Sequence, residues 1–327
     1  MLFNTPLRIF LFVSAALFTL HLGAETRRDN AAVRHRILAV VSTSAETTQV
    51  RQESHEQQSS AQKPALPSDA TAYVREVIHN ELEMDARDHS HWRYRAHRED
   101  DKSNYDRDII ETKDGEIGRT LLLYGRPLSA EQQQQDQARM QKLVTDASEQ
   151  AKRTRREKAD SEKAEQMFKA IPDAFIFKYD GIEKGLVRLS FFPNPNYDPP
   201  TRELRVFRSL SGKMWIDPNQ KHVVSIEGQL FQDVTFGWGI LARLYKGGTF
   251  VVNRREVGPG HWEMVSLNVN MSGHAMLFKN IAVKERQTQT EFRRVPDNLS
   301  MTEAYHMLQK DSPVSANNQP VPAVSHR

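Results

Sequence analysis

Histidine and aspartate crowd the stretch from Asp85 to Asp100, where His89 and His91 stand near Asp85, Asp88 and Asp100, residue types that ligate zinc. A zinc site needs three or four ligands at defined spacing, and one His-x-His without a downstream partner reads as a hydrated helix end. Glu76 with His79 reads the same way, so no metal and no cofactor is expected. Acyl transfer needs a serine held on a strained turn, and no Gly-x-Ser-x-Gly elbow occurs. Lys246-Gly247-Gly248-Thr249 lacks the Gly-x-x-x-x-Gly-Lys frame of a phosphate loop. The chain has 0 cysteines, which excludes disulfides, thiolate metal sites, a cysteine nucleophile and anchoring through a lipidated cysteine. The expectation is a protein that is not an enzyme.

What remains is apolar. In Phe236-Gly237-Trp238-Gly239-Ile240-Leu241-Ala242-Arg243-Leu244, the residues Phe236, Trp238, Ile240, Ala242 and Leu244 alternate at the period of a pleated strand. Gly237 and Gly239 leave the opposite face bare, as where a sheet bends or another group approaches closely. With Phe250 and Val252 on the neighbouring strand, Phe236, Trp238, Ile240 and Leu244 are candidate lining of an apolar cavity for acyl chains. Packing against covering helices as ordinary core is the alternative, since any such sheet buries one face.

Charge points to no special partner. The net charge is +3 over 327 residues, too small to indicate nucleic acid. Lys152, Arg153, Arg155, Arg156 and Lys158 form the dense basic run, but Glu157, Asp160 and Glu162 interleave with it, the pattern of a solvated helix face. An apolar fraction of 38% fills a real core, while 27% charged residues and a mean hydropathy of -0.65 place much of the chain in water.

Residues 1–24 carry Arg8, an apolar run from Ile9 to Leu20 and a small residue at Ala24, which fits a secretory signal and a periplasmic mature chain. Residues 25–67 are rich in Gln, Ser, Thr and Arg and read as a flexible leader. A single domain is expected over 68–309, followed by a disordered Pro-, Ala- and Ser-rich tail over 310–327. Within the domain, Ser68-Asp69 caps a first helix with Val74, Val77, Ile78 and Leu82 on one face. Strands follow at Trp92–Arg98, Tyr105–Thr112 and Glu116–Tyr124, with Lys113-Asp114-Gly115 as a hairpin turn. Ser129 and Gln132 form a capping box for a long second helix toward Pro172. A many-stranded antiparallel meander then runs from Phe175 to Phe292, including Glu203–Arg208 as a strand and Phe236–Leu244 as another.

This order of helix, three strands, long helix and meander resembles the half-barrel superfamily of periplasmic carriers that sort outer-membrane lipoproteins, together with a related envelope-stress sensor domain. The likeness covers about residues 68–295 and is carried by three motifs. They are the Lys113-Asp114-Gly115 hairpin, Gly212-Lys213-Met214-Trp215-Ile216-Asp217-Pro218 and the aromatic-glycine strand at 236–240. The resemblance implies an α+β fold in which a curved antiparallel sheet, an incomplete β-barrel, wraps two main helices. It implies an apolar cavity that receives acyl chains, and no catalysis. Lipid or lipoprotein acyl chains and an envelope or outer-membrane protein are the expected partners, and a monomer is expected. An envelope sensor or interaction domain on the same fold, without lipid transfer, is the other expectation.

Overall fold

The computed structural model describes residues 66–236, 242–275 and 279–311. The signal, nearly all of the leader and the tail lie outside the described residues. Helix α1 (Ala70–Arg87) begins where the Asp69 carboxylate accepts the N–H groups of Thr71 at 2.8 Å and Ala72 at 3.2 Å, which satisfies donors that the first turn leaves unpaired. Its Val74, Val77 and Ile78 are buried, as the spacing predicts.

Strands β1 (His91–Asp100), β2 (Asn104–Thr112) and β3 (Gly115–Leu123) follow. Between β2 and β3 the turn ends on Gly115 at φ 125, a conformation open to glycine and strained for other residues. A two-residue strand β4 (Arg126–Pro127) leads to helix α2 (Ala130–Thr145), whose capping box joins Ser129 and Gln132. The expected single long helix is in fact two. At Asp146 the backbone is extended, and the carboxylate accepts from the N–H groups of Ser148 and Glu149, so it starts a new helix, α3 (Ala147–Ala174).

The meander is β5 (Phe175–Glu183), β6 (Leu186–Pro193), β7 (Leu210–Asp217), β8 (His222–Leu230), β9 (Val234–Phe236), β10 (Ala242–Leu244), β11 (Thr249–Gly258), β12 (His261–Ala275) and β13 (Lys279–Val295). Two expected strands are corrected. Glu203–Ser209 is a 3-10 helix, η1, with Leu204, Val206 and Phe207 buried, a spacing that suits a helical turn better than a strand. Phe236–Leu244 is not one strand. Ala242 pairs with Phe236 and Leu244 with Val234 in antiparallel register, so β9 and β10 are two arms of a hairpin. A fourth α-helix, α4 (Met301–Lys310), is capped by Ser300 and Glu303 in a box that the sequence reading passed over.

All thirteen strands belong to one antiparallel sheet, in the order β4-β3-β2-β1-β13-β12-β11-β8-β7-β6-β5, with β10 beside β12 and β9 beside β10. The sheet does not close into a barrel, and the fold is the expected α+β class. The first strand joins the last, since β1 pairs with β13 from His91↔Val295 to Asp100↔Glu285. One core gathers α1, the C-terminal part of α3 and η1 against β5 to β8, β11 and β12. A second packs α2 and α4 on Ile110, Ile117 and Val295.

What fastens α1 to the sheet is ionic. Glu81, 1% exposed, meets Arg254 Nη1 at 2.6 Å and His222 Nδ1 at 3.1 Å. Beside a register shift between β7 and β8, the Val223 N–H donates to Glu81 Oε1 at 2.7 Å, and Arg254 Nη1 donates to the Val223 carbonyl at 3.1 Å. Burial pushes the Glu81 carboxyl up, but Arg254, His222 and the Val223 N–H together outweigh it and hold the carboxyl below its ordinary 4.5. Its folded-state pKa thus lies under the unfolded one, so this stabilisation is complete above the unfolded value and lost as pH falls through the folded one. Glu81→Gln, which leaves the Arg254 charge buried alone, is expected to cost about 3–5 kcal/mol in denaturant unfolding at neutral pH. That deficit is expected to shrink on acidification, and a deficit that is constant with pH would remove Glu81 as the titrating group.

Candidate functional site

Beneath η1 the inner face of the sheet carries a cavity in which every lining side chain is apolar. The floor depends on two glycines. Gly212 and Gly228 sit opposite each other on β7 and β8, while Phe191 lies across from Gly212 and Phe250 across from Gly228. A Cβ on Gly228 would fall 2.4 Å from the Phe250 ring, and one on Gly212 would fall 2.7 Å from Phe191 and 1.9 Å from the Glu227 carbonyl oxygen. The bare backbone therefore lets two aromatic rings lie down over the strands.

Above that floor, Phe175 stacks edge-on to Phe191 with centroids at 4.9 Å and tilts against Phe207 of η1 at 5.1 Å. Phe177 adds a third wall. Ile171 of α3 and Val206 of η1 complete the roof, and Met271 stands on the β12 side. The free space enclosed is about 30 Å³, room for one or two waters by volume and far short of the roughly 300 Å³ at which ligand pockets begin. The phenylalanines already fill most of it.

Of the residues singled out from sequence, Phe250 lines this cavity. Leu244 and Val252, both 1% exposed, belong to the core around it. Trp238, Ile240 and the side chain of Phe236 lie outside the described residues. Phe175, Phe177, Phe191 and Phe207 were missed as lining. The available signal was the alternation of Phe175 with Phe177 and the placing of glycines 212 and 228 opposite aromatic residues, which becomes visible only once register is known.

The polar candidates take structural posts. Asp100 accepts the N–H groups of Lys102 and Ser103 in a turn, and His89 is exposed. Among the described residues no group of three or more His, Asp or Glu could hold a metal ion. Asp88, Ser90 and His261 do come together, with Asp88 Oδ2 at 3.0 Å and Ser90 Oγ at 3.3 Å from the ring. Burial raises the Asp88 carboxyl, but His261 and Ser90 prevail and hold it below the usual range. In a nucleophilic triad the acid and the serine address opposite imidazole nitrogens. Here both approach Nδ1, while Nε2 faces Arg294 at 3.4 Å and Ser90 Oγ also accepts from Trp92 Nε1 at 3.0 Å. This trio pins Trp92 at the start of β1 and lacks the arrangement for acyl transfer. In the basic run, Lys152 pairs with Glu149, Arg153 with Glu157 and Lys158 with Glu162.

No family model matches this chain, and no curated protein matches it. Among solved structures, a DUF1329 family protein from Desulfovibrio piger aligns over 71% of this chain and 96% of its own at 8% identity, with a TM-score of 0.24. A likeness at that score carries no argument, so the site rests on its own geometry.

Gly228→Ala is expected to lower stability by about 1–3 kcal/mol, the usual cost of overpacking, because the Phe250 ring must move. Urea unfolding measures this, and a neutral result would show that the floor is not tightly packed.

Proposed function

We propose that this protein is a non-enzymatic binder of apolar ligands in the cell envelope, and that its ligand is the acyl chain of a lipid or lipoprotein. The observation that carries the reading is the wholly apolar cavity roofed by η1. The roof is tied at its C-terminal end, where Gln232 donates to the Arg208 carbonyl and the Phe231 N–H to the Ser209 carbonyl. No side chain caps the N-terminus of η1, and η1 follows a connection that contains Pro195, Pro199 and Pro200. Lifting Val206 and Phe207 away from the sheet would open the site over the phenylalanine floor. Each methylene then taken from water contributes about 0.8 kcal/mol, so a long chain offsets the cost of displacing the roof. The secretory pattern over residues 1–24 supports export to the periplasm, and the proposal includes a monomer acting there. An envelope protein that loads or receives the ligand is the partner this role requires.

The small enclosed volume favours a second reading, an interaction or sensor domain of the same fold whose pocket stays filled by its own side chains. Mass spectrometry of a solvent extract of the purified protein separates the two. Acyl species in the extract, and saturable uptake of a fluorescent fatty acid that increases in Phe207→Ala, are expected. An empty extract, together with no uptake by either the wild type or Phe207→Ala, would leave only the interaction domain.

Phe207→Ala also tests the roof itself. If the residue served only as core, the variant would lose about 3–5 kcal/mol with no gain in uptake. A measured gain of several-fold in the uptake rate, with the fold intact by circular dichroism, is the expected result.

A further inference from the structure

On the opposite face of the sheet a second cavity is lined by arginine. β1 and β13 lose register between Arg93↔Arg293 and Arg95↔Thr290, so one residue of β1 faces two of β13, with Glu291 at φ 57. Such bulges re-aim side chains and open the ladder locally. At this opening Arg93, Arg95 and Arg293 converge with Asp108 and Glu291 around about 60 Å³ of free space.

The ion pairs leave positive charge over. Arg93 grips Asp108 through Nε at 3.0 Å and Nη2 at 2.7 Å, and reaches Asp311, just past the C-terminus of α4, at 2.7 Å. Arg95 has Glu291 at 3.3 Å. Arg119, directly opposite Asp108 on β3, shares that carboxylate at 3.9 Å and donates to the Asp311 carbonyl oxygen at 3.3 Å. Its Nε and Nη1 are buried without a hydrogen-bond partner. Arg293 has no carboxylate partner among the described residues. Asp106, one pair along, is taken by His97. Arg93, Arg95, Arg119 and Arg293 therefore face Asp108, Glu291 and Asp311, one guanidinium more than carboxylates.

We propose that this cavity is a site for an oxyanion, a phosphate or carboxylate group held by Arg93, Arg95 and Arg293, with the Asp311 carboxylate competing for Arg93 and Arg119 adding positive charge from beside Asp108. Planar guanidiniums match such groups in a two-pronged fashion. Burial, acting before the attraction of Asp108, lowers the Arg119 pKa, so an added anion offsets a cost that the protein leaves open. The same chemistry comes from a free anion or from a phospholipid headgroup. Seating α4 alone accounts for Arg93 and Arg119 but leaves Arg293 without work.

Calorimetric titration with inorganic phosphate, at constant ionic strength against a chloride blank, tests the site. One saturable event per chain is expected. Arg293→Gln, an exposed change that leaves the core untouched, is expected to weaken it about tenfold, the effect of losing a charge-assisted contact. Asp311→Asn is expected to tighten it several-fold by removing the competitor. No saturable heat, or binding unchanged in Arg293→Gln, or weakened binding in Asp311→Asn, would each overturn the proposal. Phosphatidylglycerol vesicles that bind and are displaced by phosphate, while phosphatidylcholine vesicles do not bind, would identify the headgroup as source. Phosphate binding without vesicle binding would identify the free anion.

Discussion

Everything on the inner face of the sheet depends on two opposite charges meeting in a dry place. Glu81 projects from α1 into the core, and Arg254 projects from β11 to meet it, with side chains 1% and 2% exposed. Either charge alone there would cost several kcal/mol. The pair is thus tolerable in one arrangement only. A slide of α1 by one turn, about 5.4 Å, would strand both groups among Val74, Ile78 and the strands. The pair also satisfies the Val223 N–H and carbonyl beside the register shift, so helix position and strand irregularity are settled together. A hydrophobic pair would pack as well and would not choose between neighbouring turns.

With α1 fixed, α3 and η1 cover more of the inner surface, and the cavity lies between Ile171 of α3, Val206 and Phe207 of η1 and the sheet. Its character follows from the floor. Glycines 212 and 228 allow Phe191 and Phe250 to lie over the strands instead of standing up from them, which makes the surface broad, aromatic and without a polar handle. Phe175 and Phe207 then fill the space above. Only about 30 Å³ is then left free, so under the proposed binding role the roof would have to be displaced before a ligand could enter, and opening and binding would be one event energetically.

The outer face solves a different problem. There α4 closes a second core over Ile110 and Ile117, and its C-terminal Asp311 reaches the arginines. Because β1 joins β13, residues about two hundred apart in sequence share one ladder, and a bulge at Glu291 sets three guanidiniums around one opening. Neither feature has a local signature.

Alternation and caps were enough to read much of the fold directly. Val74, Val77 and Ile78 on one helical face, the Ser129–Gln132 box and the Lys113-Asp114-Gly115 turn each act within a few residues, and each stands where the sequence puts it. Failures came where local pattern was ambiguous. Glu203–Ser209 carries apolar residues that suit a strand or a 3-10 turn, and packing under α3 decided for the turn. The alternation across Phe236–Leu244 does not reveal that the chain doubles back, because both arms of a hairpin keep the same period of two. The second helix looked continuous because Leu143, Val144, Ala147 and Ala151 keep a helical spacing across the break, whereas Asp146 ends one helix through its extended backbone and caps the next through its carboxylate.

By itself the sequence determined composition, the lack of thiol chemistry, the α+β class and the elements whose signals are local, because propensity, capping and periodicity act over one or two turns. Tertiary structure alone decided which residues meet: Glu81 with Arg254, Gly228 beneath Phe250, Arg93 with Asp311. Those pairings depend on strand register and on the joining of the first strand to the last, and such long-range contacts are selected by the free energy of the whole packed sheet, which no window of neighbouring residues contains.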